Sequence, residues 1–224
     1  MGVARDASFF ATGISLVIHP KNPFIPTVHA NYRYFECHTS NGLIWWMGGG
    51  ADLTPYYLND EDARHFHGVH QRACDQFKSG FYAEAKSACD AYFYLPHRQE
   101  TRGVGGIFFD YLNDDFDSQF EFISRISLAF IDSYIPIVKK HKDHPYTDAH
   151  RQWQSIRRGR YAEFNLLHDR GTLFGLKTNG RIESIFMAMP PNAAWVYNFS
   201  PKQGSAEAEL QAVLQTPKQW TNNE

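Results

Sequence analysis

The stretch from residue 15 to residue 57 constrains the fold and function of this chain more than any other. It contains three runs with the alternating pattern of β-strands, joined by turns. Alternate side chains of a strand lie on one face, so His29, Asn31 and Arg33 are predicted to point the same way, together with Phe35. An imidazole, a carboxamide and a guanidinium in register on one face indicate a binding surface.

A run of three glycines, Gly48 to Gly50, follows in the third strand, and Asp52 comes two residues after the last of them. Glycines leave the backbone bare, so a ligand can approach it closely. Bare backbone beside a guanidinium and one isolated carboxylate suggests a ligand that carries both acidic groups and N–H donors. The alternative is a structural ion pair between Arg33 and Asp52, although packing alone gives little reason for three consecutive glycines.

The rest of the chain predicts a single α+β domain over residues 1–224 with an antiparallel sheet. Predicted helices cover about 60–77, 81–93, 117–136 and 147–157, the third of them kinking or ending at Pro136, and the last twenty residues form a polar helix or tail. Predicted strands cover 8–18, 29–38, 43–47, 107–111, 160–167, 172–177, 181–189 and 195–199, with the Asn179-Gly180 pair as a hairpin turn.

Composition argues against several classes of protein. With 22 basic and 24 acidic residues the net charge is −2, so neither nucleic acid nor an anionic membrane is expected as the main partner. Three cysteines without a CxxC motif favour a reducing cytoplasm over a disulfide framework. No apolar run reaches transmembrane length, and the N-terminus lacks the pattern of a signal peptide. The aromatic content of 16% suits either a thick aromatic core or a pocket for a flat ligand.

Histidines are the next candidates for a site. His19, His29, His67 and His97 lack the short spacings of a recognisable zinc or iron site. A single His29 that acts as a proton donor, or as a hydrogen-bond donor to a ligand, is therefore favoured over a metal cluster, because it shares a strand face with Arg33.

Arginines recur next to turns and strand ends, and most of them are predicted to be surface charges; they include Arg98, Arg102, Arg157, Arg158 and Arg160. Arg181 follows the Asn179-Gly180 turn directly, and its planar fork suits it to clamp a carboxylate. The Asp169-Arg170-Gly171 segment is either turn chemistry or part of the site, and the sequence leaves both open.

Four long sequence blocks resemble the oxygen-dependent coproporphyrinogen III oxidases in their bacterial form. They are SLVIHPKNPFIPTVHANYRYFE (15–36), WWMGGGADLTPYYLNDEDARHFH (45–67), YFYLPHRQETRGVGGIFFDYLN (92–113) and RGRYAEFNLLHDRGTLFGLKTNGRIESIFMAMPP (158–191). The blocks occur in order and together span nearly the whole chain, so the resemblance is specific.

The resemblance implies a cytoplasmic enzyme of heme biosynthesis with the family's large antiparallel sheet flanked by helices. Such an enzyme oxidatively decarboxylates the propionates of rings A and B of coproporphyrinogen III to vinyl groups and yields protoporphyrinogen IX. O2 is the co-substrate, carbon dioxide and peroxide are released, and no organic cofactor is implied. The resemblance also implies a homodimer whose interface includes residues 160–195.

Roles for individual residues follow from the same resemblance. His29 matches the proposed proton donor, Asp52 matches the carboxylate that holds the pyrrole N–H groups, and Arg33 matches a residue implicated beside it. The positions that match substrate-binding segments are Ser15, Asn31, Tyr32, Arg33, Asp169, Arg170, Asn179, Gly180 and Arg181. His19, His29, His67 and His97 match histidines assigned to a divalent metal in bacterial members, although their spacing argues against a metal.

The chain departs from the family in one respect. Family members carry a further segment before the block that starts at Ser15, and this segment is expected to supply part of the sheet and of the pocket wall. Two interpretations remain, an active enzyme or a non-catalytic remnant that binds tetrapyrroles or dimerises. The presence of His29, Arg33 and Asp52 together favours the enzyme. A metal-dependent oxygenase is a weaker third interpretation.

Overall fold

The computed structural model describes residues 8–221, and its elements give an α+β architecture. The strands are β1 (Ser8–Ile18), β2 (Thr27–Thr39), β3 (Gly42–Thr54), β4 (Tyr94–Leu95), β5 (Glu100–Thr101) and β6 (Gly105–Leu112). The helices are α1 (Asp60–Phe77), α2 (Phe81–Tyr92), α3 (Phe116–His141), α4 (Asp148–Leu167), α5 (Arg170–Lys177), α6 (Ile182–Phe186) and α7 (Ala206–Gln215). No helix within residues 8–221 is long and apolar enough to cross a membrane.

The main sheet has the strand order β1-β2-β3-β6, and every neighbouring pair is antiparallel. The strands predicted over 29–38 and 43–47 are confirmed as parts of β2 and β3, which form an antiparallel hairpin. Its register places His29 directly opposite Asp52, Asn31 opposite Gly50, and Arg33 opposite Gly48. The register therefore brings together the imidazole, the carboxylate and the glycines that the sequence singled out.

One face of the sheet packs against the helices and forms the core. Tyr32, Leu53 and Ile107 are buried there, and the ring of Phe122 on α3 packs against Phe109 on β6. The opposite face carries the side chains at the alternate positions, and we call it the open face. It is formed by His29, Asn31, Arg33, Phe35, Gly48, Gly50, Asp52, Phe108 and Asp110.

The first two helices confirm the sequence prediction. The Asn59 side chain accepts a hydrogen bond from the Asp62 N–H and caps α1, whose first turn is acidic. Gly80, with φ of 76°, separates α1 from α2. A left-handed residue is where glycine is favoured.

Pro136 does not end the third helix, because α3 continues to His141. A proline inside a helix leaves the carbonyl four residues earlier without its donor. That carbonyl belongs to Asp132, and the Nε2 of His65 on α1 donates to it at 2.9 Å. The neighbouring helix therefore satisfies the acceptor that the proline leaves free.

The strands predicted over 160–167, 172–177 and 181–189 are wrong, because α4, α5 and α6 occupy this region. Each of these three strands was predicted from a stretch of only six to nine residues. Over the full length of α4, Trp153, Ile156 and Phe164 are buried at spacings that fit the helical period. The strand predicted over 195–199 is also wrong, since these residues form no regular element.

The Asn179-Gly180 pair ends a helix and does not form a hairpin turn. Asn179 has φ of 54° and follows the last turn of α5. The Gly180 N–H donates to the Gly175 carbonyl at 2.8 Å, the bond that closes a Schellman motif at a helix C-terminus. Asn adopts the left-handed backbone conformation more readily than most residues, and this conformation occurs at helix ends as well as in hairpin turns.

Candidate active site

A buried carboxylate, Asp52, lies at one end of the open face, near the end of β3 and opposite His29. Its Oδ1 accepts hydrogen bonds from His29 Nδ1 at 2.8 Å and from Arg102 Nη2 at 2.9 Å, and its Oδ2 is also 2.9 Å from that nitrogen. The Asp52 side chain is 2% exposed, whereas that of His29 is 22% exposed. The imidazole is therefore the part of this pair that solvent or a ligand can reach.

Arg102 approaches Asp52 from the short segment after β5 and is as deeply buried as its partner. Its guanidinium carbon lies 4.0 Å from the ring centre of Phe93, 4.3 Å from that of Tyr161 and 4.9 Å from that of Phe164. Its Nη1 donates to Asn165 Oδ1 at 3.0 Å. Aromatic faces attract a cation and restrict its movement.

The environment keeps Asp52 ionised. Burial by itself raises the pKa of a carboxyl group, but the charge of Arg102 and the hydrogen bond from His29 outweigh it, so the pKa of Asp52 lies below its ordinary value. At neutral pH the carboxylate is available to accept the Nδ1–H of His29, and this fixes the tautomer of the imidazole.

Arg33 does not pair with Asp52, so the structural ion pair considered from the sequence is wrong. Arg33 Nη2 lies 3.0 Å from Asp110 Oδ1 on β6, and its Nη1 donates to Asn31 Oδ1 at 2.7 Å. The register explains this, because Arg33 faces Gly48 and lies four residues along β2 from His29. A Cβ at Gly48 would come within 2.5 Å of Asp110 Oδ1, so the glycine makes room for the pair.

Asp110 is shared by two arginines. Arg170 Nη2, at the start of α5, lies 3.4 Å from Asp110 Oδ2, and its guanidinium also lies near the rings of Tyr92 and Phe108. The Arg33–Asp110–Arg170 group therefore contains one more guanidinium than carboxylate. Its two arginines are suited to bind an anionic group of a ligand.

Asp169 and Gly171 belong to a helix start and not to a strand turn. Asp169 caps α5 by accepting the Thr172 N–H at 2.7 Å, and it also accepts from the Tyr92 hydroxyl at 3.0 Å. Asp169 therefore fixes the position from which Arg170 reaches Asp110.

The other predicted substrate residues lie in different places. Ser15 on β1 is paired with Asn31 in the sheet register. Tyr32 points into the core, where its hydroxyl donates to the Ile126 carbonyl at 3.1 Å. The link between α5 and α6 contains Asn179, Gly180 and Arg181. Within residues 8–221, the side chains of Asn179 and Arg181 make no hydrogen bond or ion pair with an open-face residue.

The four histidines matched to a metal do not meet. His19 bonds the Thr27 hydroxyl and the Ala188 carbonyl, and His67 is enclosed between the Tyr82 hydroxyl and the Val104 carbonyl. Burial lowers the pKa of His19 to about 4 and that of His67 to about 3. Both ring nitrogens of each are engaged, and residues 8–221 contain no group of three potential ligands. These side chains do not fit a shared metal ion.

The last of the four, His97, belongs to a separate network around Glu163 on α4. The Glu163 carboxylate accepts from His97 Nε2 at 2.8 Å, from the Arg98 guanidinium at 2.7 and 2.8 Å, from Arg160 at 3.0 Å and from Trp195 Nε1 at 2.9 Å. Burial works against ionisation, but the hydrogen bonds from Arg98 and His97 dominate and lower the pKa of Glu163 to about 2.

Sequence reasoning missed Arg102 and Asp110 as site residues, and it predicted Arg102, Arg157 and Arg158 among the surface charges although all three are buried. A signal for Arg102 was present in the glycines that follow it. A Cβ at Gly103 would overlap the Leu53 carbonyl oxygen, so the glycine marks a point where this segment contacts β3 near Asp52.

These features define an α+β protein whose sheet presents a carboxylate-backed histidine, the arrangement that enzymes use to hold or transfer a proton. The family model for coproporphyrinogen III oxidase matches residues 2–220. The chain therefore belongs to the coproporphyrinogen III oxidase family.

Curated relatives agree with this assignment. The chain is 51% identical over 223 residues to the chloroplastic oxygen-dependent coproporphyrinogen-III oxidase of Hordeum vulgare, covering 97% of this chain and 57% of the relative. It is 53% identical over 215 residues to the oxygen-dependent coproporphyrinogen-III oxidase of Drosophila melanogaster, with 95% and 55% covered. For that of Francisella philomiragia the identity is 52%, with 95% and 70% covered. The chain thus spans little more than half the length of the plant and insect relatives.

Replacing Glu163 by Gln is expected to remove a pH-dependent part of the stability. A carboxyl group whose pKa is lowered by folding stabilises the protein above its unfolded-state pKa, and this contribution is lost as the pH falls towards the folded-state pKa. For Glu163 the window runs from the ordinary value of 4.5 down to about 2. Between about pH 6 and about pH 3.5, the wild type should lose about 1 kcal/mol more free energy of unfolding than Glu163→Gln.

Urea unfolding at the two pH values measures this difference. Glu121→Gln is the control, because Glu121 is an exposed carboxylate with one partner, Arg125, and it should follow the wild type. Equal losses in the wild type and in Glu163→Gln would contradict the role assigned to the network.

Proposed function

We propose that the protein represented by this chain catalyses the oxygen-dependent conversion of coproporphyrinogen III to protoporphyrinogen IX, with residues 1–224 acting as one domain. The juxtaposition of the His29–Asp52 pair and the Arg33–Asp110–Arg170 group on one open sheet face carries this proposal. In each step a propionate loses carbon dioxide and two electrons as its side chain becomes a vinyl group. One O2 accepts the electrons and two protons and leaves as hydrogen peroxide, so the step balances without an organic cofactor.

The chemistry of the open face suits this substrate. Coproporphyrinogen III carries propionates and pyrrole N–H groups, and Arg33 with Arg170 offers the planar forks that bind carboxylates. Gly48 makes room for the Arg33–Asp110 pair, and Gly50 adds no side chain to the sheet between Asn31 and Phe108. A broad ligand can therefore lie close to the backbone between these arginines and Asp52. A propionate at the arginines would thereby place the macrocycle towards His29.

His29 and Asp52 are proposed to handle the proton. Both Asp52 oxygens already accept hydrogen bonds, and the Nε2 of His29 has no hydrogen-bond partner within residues 8–221. In this proposal Asp52 holds His29 as the Nδ1–H tautomer, so Nε2 of the neutral ring accepts a hydrogen bond or a proton from the reacting pyrrole, and it donates only as the imidazolium. Ser15 and Asn31 lie on the same face beside it, and Asp169, Asn179, Gly180 and Arg181 remain proposed substrate residues. Tyr32 points into the core and is no longer proposed to contact the substrate.

We further propose a homodimer whose interface includes residues 160–195. Several large apolar side chains in and next to this segment are exposed, among them Phe174 on α5, Met187 and Trp195, and Tyr197 beyond it is 98% exposed. Exposed apolar surface of this extent marks interaction sites on folded proteins. A reducing, cytoplasmic location is proposed from the free thiols of Cys37, Cys74 and Cys89.

Asp52→Asn is expected to lower kcat by about 100-fold or more, because the amide cannot hold His29 as the carboxylate does. The amide is preferable to alanine, since alanine would remove every partner of the buried Arg102 at this position and endanger folding. The assay is aerobic turnover of coproporphyrinogen III, with the product read as its oxidised porphyrin after chromatography and an anaerobic sample as blank.

Asp62→Asn provides a matched control for this variant. Asp62 is also a shielded carboxylate paired with a histidine and a cation, His141 and Lys140, but it lies in the first turn of α1, outside the open face. Its turnover should stay within about twofold of wild type. Normal turnover by Asp52→Asn would remove Asp52 from the mechanism, and a folded wild type without turnover would reject the proposed activity for this chain.

Arg33→Gln is expected to raise KM for coproporphyrinogen III, and Kd for its fluorescent oxidised form coproporphyrin III, by about tenfold, because a charge-assisted bond to a propionate is lost. Arg125→Gln removes a similarly exposed guanidinium on α3 that pairs with Glu121, and both constants should be unchanged. If the two variants weaken binding equally, the effect is one of net charge and Arg33 is no propionate site.

Phe174→Glu is expected to convert a dimer to a monomer, because it places a charge in the proposed interface. Light scattering after gel filtration gives the mass directly. Leu128→Glu changes an equally exposed apolar residue on α3 and should leave the dimer intact. Dissociation by Leu128→Glu alone would place the interface on α3 and overturn the proposal for residues 160–195.

A further inference from the structure

We propose that Arg102 is a positioning residue of the active site, which fixes Asp52 and through it the imidazole of His29, with Asn165 as its anchor. The inference rests on the proposed function and adds two residues to the site. The four side chains form one line from the open face into the core, in the order His29, Asp52, Arg102 and Asn165.

The guanidinium of Arg102 uses a different nitrogen for each of its two neighbours in this line, Asp52 and Asn165. Nη2 lies 2.9 Å from both oxygens of Asp52, so the carboxylate is held symmetrically. Nη1 donates to Asn165 Oδ1 at 3.0 Å, and this second bond fixes the rotation of the guanidinium plane. A lysine ammonium is a single point charge and cannot make both bonds with this geometry.

Aromatic rings prevent the guanidinium from moving. Phe93, Tyr161 and Phe164 lie around it with centroids within 4.9 Å. Phe93 also packs edge-on against the imidazole of His29, at 6.0 Å between ring centres. One ring therefore touches both the first and the third side chain of the line, so a shift of Arg102 is transmitted to His29 by packing as well as through Asp52.

The orientation of His29 depends on this support. Asp52 accepts the Nδ1–H, which leaves Nε2 pointing away from the core. Without Arg102 the carboxylate loses the one other partner that it has within residues 8–221 and is free to rotate. A displacement of about 1 Å in a reacting group costs roughly 100-fold in rate, so loose support should appear in kcat while substrate binding at the arginines is retained.

The chain contains a second buried pair that serves as a matched control. Arg157 on α4 donates to Glu100 at 2.7 Å, and its side chain is 3% exposed and that of Glu100 2%. Arg157 contacts no open-face residue through a hydrogen bond or ion pair within residues 8–221. Arg102→Lys and Arg157→Lys therefore make the same chemical change at the same burial, inside and outside the site.

Arg102→Lys is expected to lower kcat for coproporphyrinogen III by about 100-fold and to leave KM within about twofold. Arg157→Lys should leave both constants near wild type. In the Asp52→Asn background, Arg102→Lys should cause no further loss of kcat, because the two residues act as one unit. Losses of kcat that multiply in the double variant, or an effect of Arg102→Lys on KM alone, would overturn the proposal.

A second measurement does not depend on turnover. In ¹⁵N spectra of labelled protein, His29 should be a single Nδ1–H tautomer in the wild type and in Arg157→Lys, and a tautomer mixture in Arg102→Lys. If the wild type shows this tautomer but neither binds coproporphyrin III nor turns over its reduced form, the proposed function fails while the positioning role stands. An unchanged His29 spectrum in Arg102→Lys would reject the positioning role. If Arg102→Lys does not fold, Asn165→Ser takes its place. It keeps the charges of Asp52 and Arg102 and should also give a tautomer mixture at His29.

Discussion

The buried ion pair between Asp52 and Arg102 is the interaction on which the site depends. Removing two charges from water costs several kcal/mol per ion, and their attraction recovers this cost only when the geometry is good and the remaining donors are satisfied. Here the pair has three further supports, from His29, Asn165 and the surrounding rings. An apolar pair of similar volume would serve the core equally well, so the reason for the charges lies in what they hold at the surface, the imidazole of His29.

Close backbone packing makes this pair possible. The segment that carries Arg102 lies directly against β3, where the Val104 N–H donates to the Leu53 carbonyl at 2.9 Å. Added Cβ atoms at Gly103 and Gly106 would overlap the carbonyl oxygens of Leu53 and Ala51. The glycines therefore act at two levels. Gly48 makes room for the Arg33–Asp110 pair on the open face and Gly50 adds no side chain there, while Gly103 and Gly106 bring a second segment close enough to place a cation under Asp52.

The sequence predicted the parts of the fold and site that follow from local pattern. The period of two identified β2 and β3 and placed His29, Asn31 and Arg33 on one face, and capping signals identified α1. The partners of Arg33 and Asp52 were not predictable in the same way, because Asp110 and Arg102 come from segments distant in sequence. The helix predicted over 147–157 is confirmed as the first half of α4, but its continuation over 160–167 and the helix α5 over 172–177 were predicted as strands, because these short windows lack the helical period that begins at Trp153.

The two ends of the open face depend on different parts of the chain. The His29 end is built on β2, β3 and α4, whereas the cationic end needs Arg170, whose position is set by the capping of α5 through Asp169 and Tyr92. The same short helix carries the exposed Phe174, which the proposed dimer would cover. A partner that fixes α5 would therefore also fix Arg170 against Asp110. In the proposed dimer, this contact would strengthen the binding of a propionate and would leave the His29–Asp52 pair, held inside one subunit, unaffected.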